Sequence, residues 1–315
     1  DKEGVICVHA NECQSLTLTD CKSKGKIIGG TTAAVDVRKG KTFNMYGGTL
    51  VVSSKGNGVY LNGSTGVTTT FNMYGGTIGG AVADPDTTVN TGVGVQVDML
   101  CEFNMYGGTI SSTDKNGVSV SGTFNMTGGE ITGNNKKGYT GGGVYMQKGT
   151  FTMNDGTIAG NKATAKNGGG VYANGSTTFT MTGGTIGGST AADANAAKYG
   201  GGVYVKNGTF TMSGGKVTGN SVTEDGGGVR LDKGTFHMSG SAVISRNTTD
   251  TYGGGVDVNN GSFTMSGGSI TGNNAAGDSP NWSGGGGVFV YDGGSFTMSC
   301  GSITGNNAIR GGGVE

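Results

Sequence analysis

The chain contains 315 residues, of which 70 are Gly and only 2 are Pro, so glycine is about three times as frequent as in ordinary proteins. Its 21 basic residues balance its 21 acidic ones, which argues against nucleic acid as a partner. No apolar run approaches the length of a membrane-spanning helix, so direct membrane insertion is not expected. Collagen is excluded because glycine does not recur at every third position and proline is scarce.

A short phrase, Phe-x-Met, recurs ten times at intervals averaging about 28 residues, a period typical of solenoid proteins. Its phenylalanines are Phe43, Phe71, Phe103, Phe124, Phe151, Phe179, Phe210, Phe236, Phe263 and Phe296. A degenerate copy is present at Leu16-Thr17-Leu18. The whole chain, residues 1–315, is therefore interpreted as one continuous solenoid of about eleven coils.

The degenerate first coil, residues 1–30, contains three cysteines with His9 between the first two. Their spacing does not match a zinc motif. Two alternatives remain for them: a disulfide that caps the end of the solenoid, or buried free thiols. The three cysteines are Cys7, Cys13 and Cys21.

Two columns of side chains are predicted on the outside of the following coils. The position inside Phe-x-Met holds Asn44, Asn72, Asn104 and Asn125 and then mostly Thr, which predicts a hydrogen-bonded amide ladder. The position after Met holds Tyr46, Tyr74 and Tyr106. These tyrosines either stack on one another to stabilise the sheet or form a platform for sugar rings or a neighbouring rod.

The clearest repeat lies near residues 200–220. Val203 and Val205 are two residues apart, as are Phe210 and Met212, which is the period of a β-strand. Glycine doublets and triplets follow the strands at predicted corners, and Asn220, Asn273 and Asn306 are predicted to take left-handed conformations there. Three short strands per coil and no helical segment predict an all-β, single-stranded parallel β-helix, with right-handed coiling as the default.

In a β-helix enzyme, catalytic side chains would lie on an outward strand face, such as the position between the paired valines. In four successive coils this position holds Tyr204, Arg230, Asp257 and Phe289, which predicts an inter-coil salt bridge between Arg230 and Asp257 worth under about 1 kcal/mol. The nearest pair of carboxylates, Asp84 and Asp86, flanks a proline and is interpreted as part of a solvated turn. His237 replaces a threonine on an outer face. We therefore predict no catalytic residue, no metal site and no cofactor.

Three long insertions, residues 81–91, 189–199 and 275–283, fall at the same place in the repeat, and they contain both prolines, Tyr199 and the only tryptophan, Trp282. Insertions on one edge of a solenoid mark a contact face or are simply tolerated loops. Seven Asn-x-Ser/Thr sequons permit N-glycosylation, although chance would supply nearly as many. They begin at Asn62, Asn125, Asn174, Asn207, Asn247, Asn260 and Asn281.

The segment from Ile131-Thr-Gly-Asn134-Asn135 to Gly141-Gly-Gly-Val144-Tyr145 resembles the FxxN and GGAI motifs of chlamydial polymorphic outer-membrane proteins. The repeat is also similar to those of very large bacterial surface adhesins. This resemblance implies a right-handed β-helix that is exposed at a cell surface and serves in adhesion or as a stalk.

The sequence thus predicts a non-catalytic extracellular rod with an adhesive or structural role. The last repeat stops at Gly313-Val314-Glu315, and an open final coil leads us to expect self-association, head to tail or lateral, into a filament or stalk. A host-surface or extracellular glycan is a second expected partner. The alternative is a pectate-lyase-like β-helix that binds or cleaves polysaccharide.

Overall fold

A computed structural model describes the backbone of residues 4–8 and, in full, residues 13–20, 25–52, 56–80, 92–135, 139–277 and 284–315. Within these residues every regular element is a β-strand, and all strand pairings between named strands are parallel. The chain is a parallel β-helix, as its repeat predicts.

Sheet A contains one strand from each of eleven coils, which agrees with the predicted number of coils. From Ala33–Arg38 onward, each strand has the alternation of an inward valine, an outward residue and an inward valine or similar apolar residue, so one side of the sheet is buried in the core. The strands are Gly4–Val8, Ala33–Arg38, Asn57–Asn62, Val95–Val97, Val118–Val120, Val144–Met146, Val171–Asn174, Val203–Lys206, Val229–Asp232, Val256–Asn259 and Val288–Tyr291.

Sheet B has 18 strands because most coils contribute two, one containing Phe-x-Met and one containing the following Ile or Val. In four coils the two merge into a single strand, so the Gly-Gly, Asp-Gly or Cys-Gly pair between them is a local irregularity in a sheet and not a corner. The strands are Ser15–Leu18, Lys26–Ile28, Thr42–Met45, Thr49–Val51, Thr69–Met73, Thr77–Gly79, Cys101–Met105, Thr109–Ser111, Thr123–Thr132, Thr150–Ala159, Thr178–Met181, Thr185–Gly187, Thr209–Met212, Lys216–Thr218, Thr235–Met238, Val243–Ser245, Ser262–Thr271 and Ser295–Thr304.

Sheet C adds a short strand that the three-strand repeat did not predict. It occurs in six coils, beginning at Lys162. In each of these coils the strand directly follows an Asn and precedes a run of glycines. The pairings there are only two or three residues long, too short to leave a clear alternating pattern. The strands are Lys162–Asn167, Ala196–Tyr199, Ser221–Val222, Thr248–Thr249, Asn274–Ala275 and Asn307–Ala308.

The core is one continuous column of apolar side chains enclosed by the sheets. From Phe43 to Phe296 the rings stack face to face from coil to coil, with centroids 4.5–4.9 Å apart. This distance equals the usual spacing between neighbouring strands, about 4.8 Å. Identical residues in identical positions therefore pack without a change of register.

In most coils the second glycine of the Gly-Gly doublet that follows Phe-x-Met makes room for a methionine of the preceding coil. Gly215, with φ of +78°, illustrates this, because a Cβ atom there would lie 2.6 Å from Cε of Met181. The same contact recurs between Gly76 and Met45, where the distance would be 2.5 Å. The excess glycine thus serves packing as well as turning.

Candidate functional site

The three tyrosines after Phe-x-Met stack outward in consecutive coils. The ring centroids of Tyr46 and Tyr74 are 4.5 Å apart and those of Tyr74 and Tyr106 are 4.8 Å apart, with the planes within 10° of parallel. Their side chains are 54%, 42% and 46% exposed. Desolvation raises the pKa of Tyr74, and its two neighbours add to the effect. We call Tyr46, Tyr74 and Tyr106 the tyrosine strip.

The stacking limits what the tyrosine strip can bind. Since each ring face between neighbours is covered by the next ring, the strip presents ring edges and hydroxyl groups to solvent. A sugar ring that stacks on an aromatic side chain needs a free face. The geometry therefore supports the stacked-ladder interpretation of these tyrosines and gives little support to a sugar platform along the strip.

An outer ladder of asparagines runs beside the tyrosine strip, and this prediction is confirmed. Asn72 donates from Nδ2 to Oδ1 of Asn44 at 2.9 Å, Asn104 to Asn72 at 3.1 Å, and Asn125 to Asn104 at 2.9 Å. Each amide uses one donor and one acceptor along the rod. The ladder therefore holds the coils of this face in register.

A second asparagine ladder is buried, and the sequence analysis missed it. Each side chain donates from Nδ2 to Oδ1 of the next asparagine at 2.9–3.0 Å and also to a backbone carbonyl of the preceding coil. The predicted left-handed conformation of Asn220, Asn273 and Asn306 is wrong, since the preceding glycines have the positive φ, 61–65°. The ladder comprises Asn134, Asn161, Asn195, Asn220, Asn247, Asn273 and Asn306.

The outer face of sheet A contains a charged cluster around Arg230. Its Nη1 lies 2.7 Å from Oδ2 of Asp257 and 2.5 Å from Oδ2 of Asp225, and its Nη2 donates to the hydroxyl of Tyr291 at 2.8 Å. Arg230 is 7% exposed and Asp257 is 0% exposed. The predicted inter-coil salt bridge between Arg230 and Asp257 therefore forms, but it is buried, so the small energy expected for an exposed pair does not apply to it.

Burial dominates the electrostatics of this cluster. It raises the pKa of Asp257 well above the usual range, against the attraction of Arg230, and the charge of Asp225 raises it further. Asp225 was not recognised in the sequence because it lies in the corner before Gly226 and not in the strand. The two carboxylates share one guanidinium, with Asp257 buried and Asp225 half-buried, so the cluster offers no open groove of the kind that a pair of hydrolytic carboxylates requires.

Tyr199 belongs to the same cluster and not to a separate contact surface. Its ring lies 4.7 Å from Cζ of Arg230 and 5.2 Å from Nζ of Lys198, so cations of the same chain already occupy it. In insertion 189–199, Thr190 donates to Asp193 at 2.7 Å and closes a local turn. Trp282, insertion 81–91 with Asp84 and Asp86, and residues 278–283 lie outside the described residues.

The cysteines that the structure describes are free thiols. Cys13 is exposed, and its Sγ lies 3.3 Å from the carbonyl oxygen of Ser15. The backbone of Cys7 pairs with Asp36, but its side chain, like Cys21 and His9, lies outside the described residues. Burial raises the pKa of Cys101 to about 12, and Asp98 contributes, so this thiol is unreactive at neutral pH.

The predicted sequons differ in accessibility. Asn207 and Asn260 are exposed at turns, and Asn62, Asn125 and Asn174 are half-buried. Asn247 is completely buried, and its Nδ2 donates to Val217 and Asn273. Glycosylation of Asn247 in the folded chain is therefore excluded, and Asn281 lies outside the described residues.

Within the residues that the structure describes, no group of three His, Cys, Asp or Glu residues is placed to hold a metal ion. In the same ranges, no helix is long and apolar enough to cross a membrane. His237 is exposed on sheet B in register with Thr211 and Thr264.

A cleft of about 600 Å³ lies at the turns that connect sheet A to sheet B. Asn62, Asp98, Ser121 and Gln147, which follow the apolar pairs of four successive coils, line it along the rod. Met99, Leu100 and Lys148 line it from the adjoining turns. These turns differ in length and composition from coil to coil, so no periodic signal in the sequence pointed to the cleft.

Comparison with protein-family models, with curated proteins and with solved structures found no match to this chain.

Proposed function

We propose that this chain is a non-catalytic extracellular rod with a structural or adhesive role, of the kind that its resemblance to bacterial surface repeats implies. The observation that supports the proposal is the unbroken stack of phenylalanines from Phe43 to Phe296, whose planes are tilted by 3–22° between coils. Such a stack favours a stiff, nearly straight rod. Eleven coils at about 4.8 Å each give a length of about 50 Å.

The tyrosine strip is the proposed adhesive contact, and a second copy of the rod is its proposed partner. Its exposed ring edges and hydroxyls repeat every 4.5–4.8 Å, the repeat of the coil itself. A second copy of the rod has a surface with the same period, so two rods that lie side by side can repeat the same contact at every coil. Tyrosine is also among the residues enriched at protein interfaces.

Sedimentation velocity over a range of concentrations tests the adhesive part of the proposal. We expect lateral association of the wild-type chain and at least tenfold weaker association when Tyr46, Tyr74 and Tyr106 are all changed to Ser. The matched control changes Thr127, Asn154 and Thr182, the exposed residues that follow Met in later coils, to Ser. A wild-type chain that remains monomeric, or a triple Tyr variant that associates normally, would contradict the lateral contact.

Accessibility to protease tests whether the protein is exposed outside the cell. Protease treatment of intact cells that produce the protein should remove an epitope placed at Gly175, a turn glycine with open space around it. An epitope that is cleaved only after the cells are lysed would overturn the extracellular assignment.

A further inference from the structure

The shape of the cleft between sheets A and B arises from unequal turns. Residues 63–68 connect the strands Asn57–Asn62 and Thr69–Met73, whereas residues 121–122 alone connect Val118–Val120 to Thr123–Thr132. Gly122 permits the short turn, because a Cβ atom there would lie 2.4 Å from the carbonyl oxygen of Cys101. The surface is therefore recessed at Ser121, between the turn of Met99 and Leu100 and that of Gln147 and Lys148.

The floor of the cleft is a row of polar groups spaced by the coil repeat, about 4.8 Å. Asn62, Ser121 and Gln147 provide amide and hydroxyl groups, and Asp98 provides a carboxylate. Asp98 is held in place by the hydroxyl of Tyr60, which donates to it at 2.8 Å, and by Nε2 of Gln96, which donates at 3.0 Å. Its oxygens keep further lone pairs for a ligand hydroxyl, so this acceptor is preorganised.

One wall of the cleft is apolar and conformationally disfavoured. Met99 is 59% exposed and Leu100 is 55% exposed. Leu100 has φ of +64°, a region that leucine rarely occupies. Among the described non-glycine residues with positive φ, it is the one apolar residue; the others are Lys39, Ser112, Asn135, Asn207, Lys233, Arg246, Asn260 and Asp292.

A row of hydroxyl-binding groups beside an apolar wall matches the chemistry of a sugar, which has hydroxyls at its rim and C–H groups on its faces. The volume of about 600 Å³ lies within the usual range of ligand sites. Lys148 balances the charge of Asp98, which favours a neutral ligand. Asp98 is the single carboxylate of the lining, whereas glycoside hydrolysis ordinarily uses two.

We infer that this cleft binds a neutral oligosaccharide laid along the rod, with its hydroxyls on Asn62, Asp98 and Gln147 and a ring face against Met99 and Leu100. The site is distinct from the tyrosine strip, so this binding goes beyond the proposed rod-to-rod contact. Loss of oligosaccharide binding would leave lateral association intact, and loss of lateral association would leave oligosaccharide binding intact.

The experiment uses the complete chain on an array of cello-, xylo-, manno- and chito-oligosaccharides, followed by calorimetry with the oligosaccharides that bind. Leu100→Asn removes one of the two apolar side chains of the wall while keeping a residue that tolerates positive φ, and Gln147→Ala removes one amide of the floor. We expect each variant to bind about tenfold more weakly than the wild type, the equivalent of losing one good contact. Asn207→Gly, at the corresponding turn of a distant coil, is the matched control and should bind normally.

Three results would overturn the inference: no binding of any neutral oligosaccharide, unchanged affinity in both variants, or binding restricted to sialylated or sulfated glycans. Circular dichroism of the Leu100→Asn chain, whose fold should be intact, separates loss of the site from loss of structure. The triple Ser variant of the tyrosine strip should keep its sugar affinity, which distinguishes failure of the cleft from failure of the lateral contact.

Discussion

Asn220 lies in the middle of the buried ladder and shows what a single amide contributes to the rod. Its Nδ2 donates to Ile186 and Asn247, and its Oδ1 accepts from Asn195. Asn220→Ala leaves several of these buried groups without a partner, at a cost of about 1–3 kcal/mol for each unsatisfied group. We expect the free energy of unfolding in urea to fall by about 2–4 kcal/mol.

Asn154→Ala is the control for this prediction, because Asn154 is exposed and its Oδ1 accepts one hydrogen bond, from Thr182. It should change stability by no more than about 0.5 kcal/mol. Equal effects of the two substitutions would show that the buried ladder is energetically unimportant.

The buried carboxyl group of Asp257 should make the free energy of unfolding depend on pH. Burial raises its pKa in the folded chain, so between about pH 4, where an unfolded Asp titrates, and the raised value the folded chain binds more protons than the unfolded one. Its contribution to stability is therefore present at low pH and is lost as the pH rises. Asp257→Asn removes this loss and should become more stable relative to wild type with increasing pH.

Denaturant unfolding of both chains at several pH values between about 4 and 8 measures that difference. A stability difference between Asp257→Asn and wild type that does not change with pH would mean that Asp257 ionises alike in both states.

At the scale of the coil, two glycines of similar conformation separate backbone strain from close packing. Gly219 and Gly175 have φ of +65° and +60°. A Cβ atom on Gly219 would lie 2.1 Å from the carbonyl oxygen of Gly188, whereas one on Gly175 would meet nothing within 4 Å. Gly175→Ala should cost about 1–2 kcal/mol, the price of a left-handed alanine.

Gly219→Ala should cost several kcal/mol more than Gly175→Ala, because the backbones of two neighbouring coils must also separate. The thermal midpoints of the two variants provide the measurement. Similar midpoints would indicate that the turn after the strand Lys216–Thr218 moves freely.

The coil repeat itself was largely predictable. Strict recurrence of Phe-x-Met and the two-residue spacing of Val203 and Val205 indicate strands that stack in register, because every coil must bury the same face. The fourth strand, in sheet C, was not predictable, since its two-residue pairings depend on which backbone groups the neighbouring coil presents. The Gly-Gly doublet was assigned to a corner, although in the merged strands it accommodates a methionine methyl group within the sheet.

At the scale of the whole rod, the position of a residue along the stack should decide its contribution. Phe179 is completely buried between Phe151 and Phe210, and Phe179→Ala should cost about 3–5 kcal/mol. Phe296 stacks on Phe263 and is only half-buried, so Phe296→Ala should cost markedly less. Guanidinium unfolding compares the two variants, and equal losses of stability would contradict nearest-neighbour stacking.

The candidate sites were less predictable than the rod. The stacking of Tyr46, Tyr74 and Tyr106 followed from their shared position, but which parts of the rings stay exposed depends on the tilt of the rings. Arg230 and Asp257 were recognised as neighbours in register, whereas Asp225 reaches them from a corner and Tyr199 from the end of a strand of sheet C. The cleft at Asp98 and Leu100 arises from turns of unequal length, which the repeat does not specify.

The sequence by itself determined that this chain is a parallel β-helix, because a period of about 28 residues with apolar pairs two apart is satisfied when identical coils stack. Only the tertiary structure decided where the surface departs from that regularity: the buried charge at Arg230 and the recessed turn at Ser121. The physical reason is that these features bring together residues of different coils, several of them in corners and turns whose sequence the repeat does not fix. A periodic sequence pattern specifies what all coils share, and the contacts between unequal turns specify the rest.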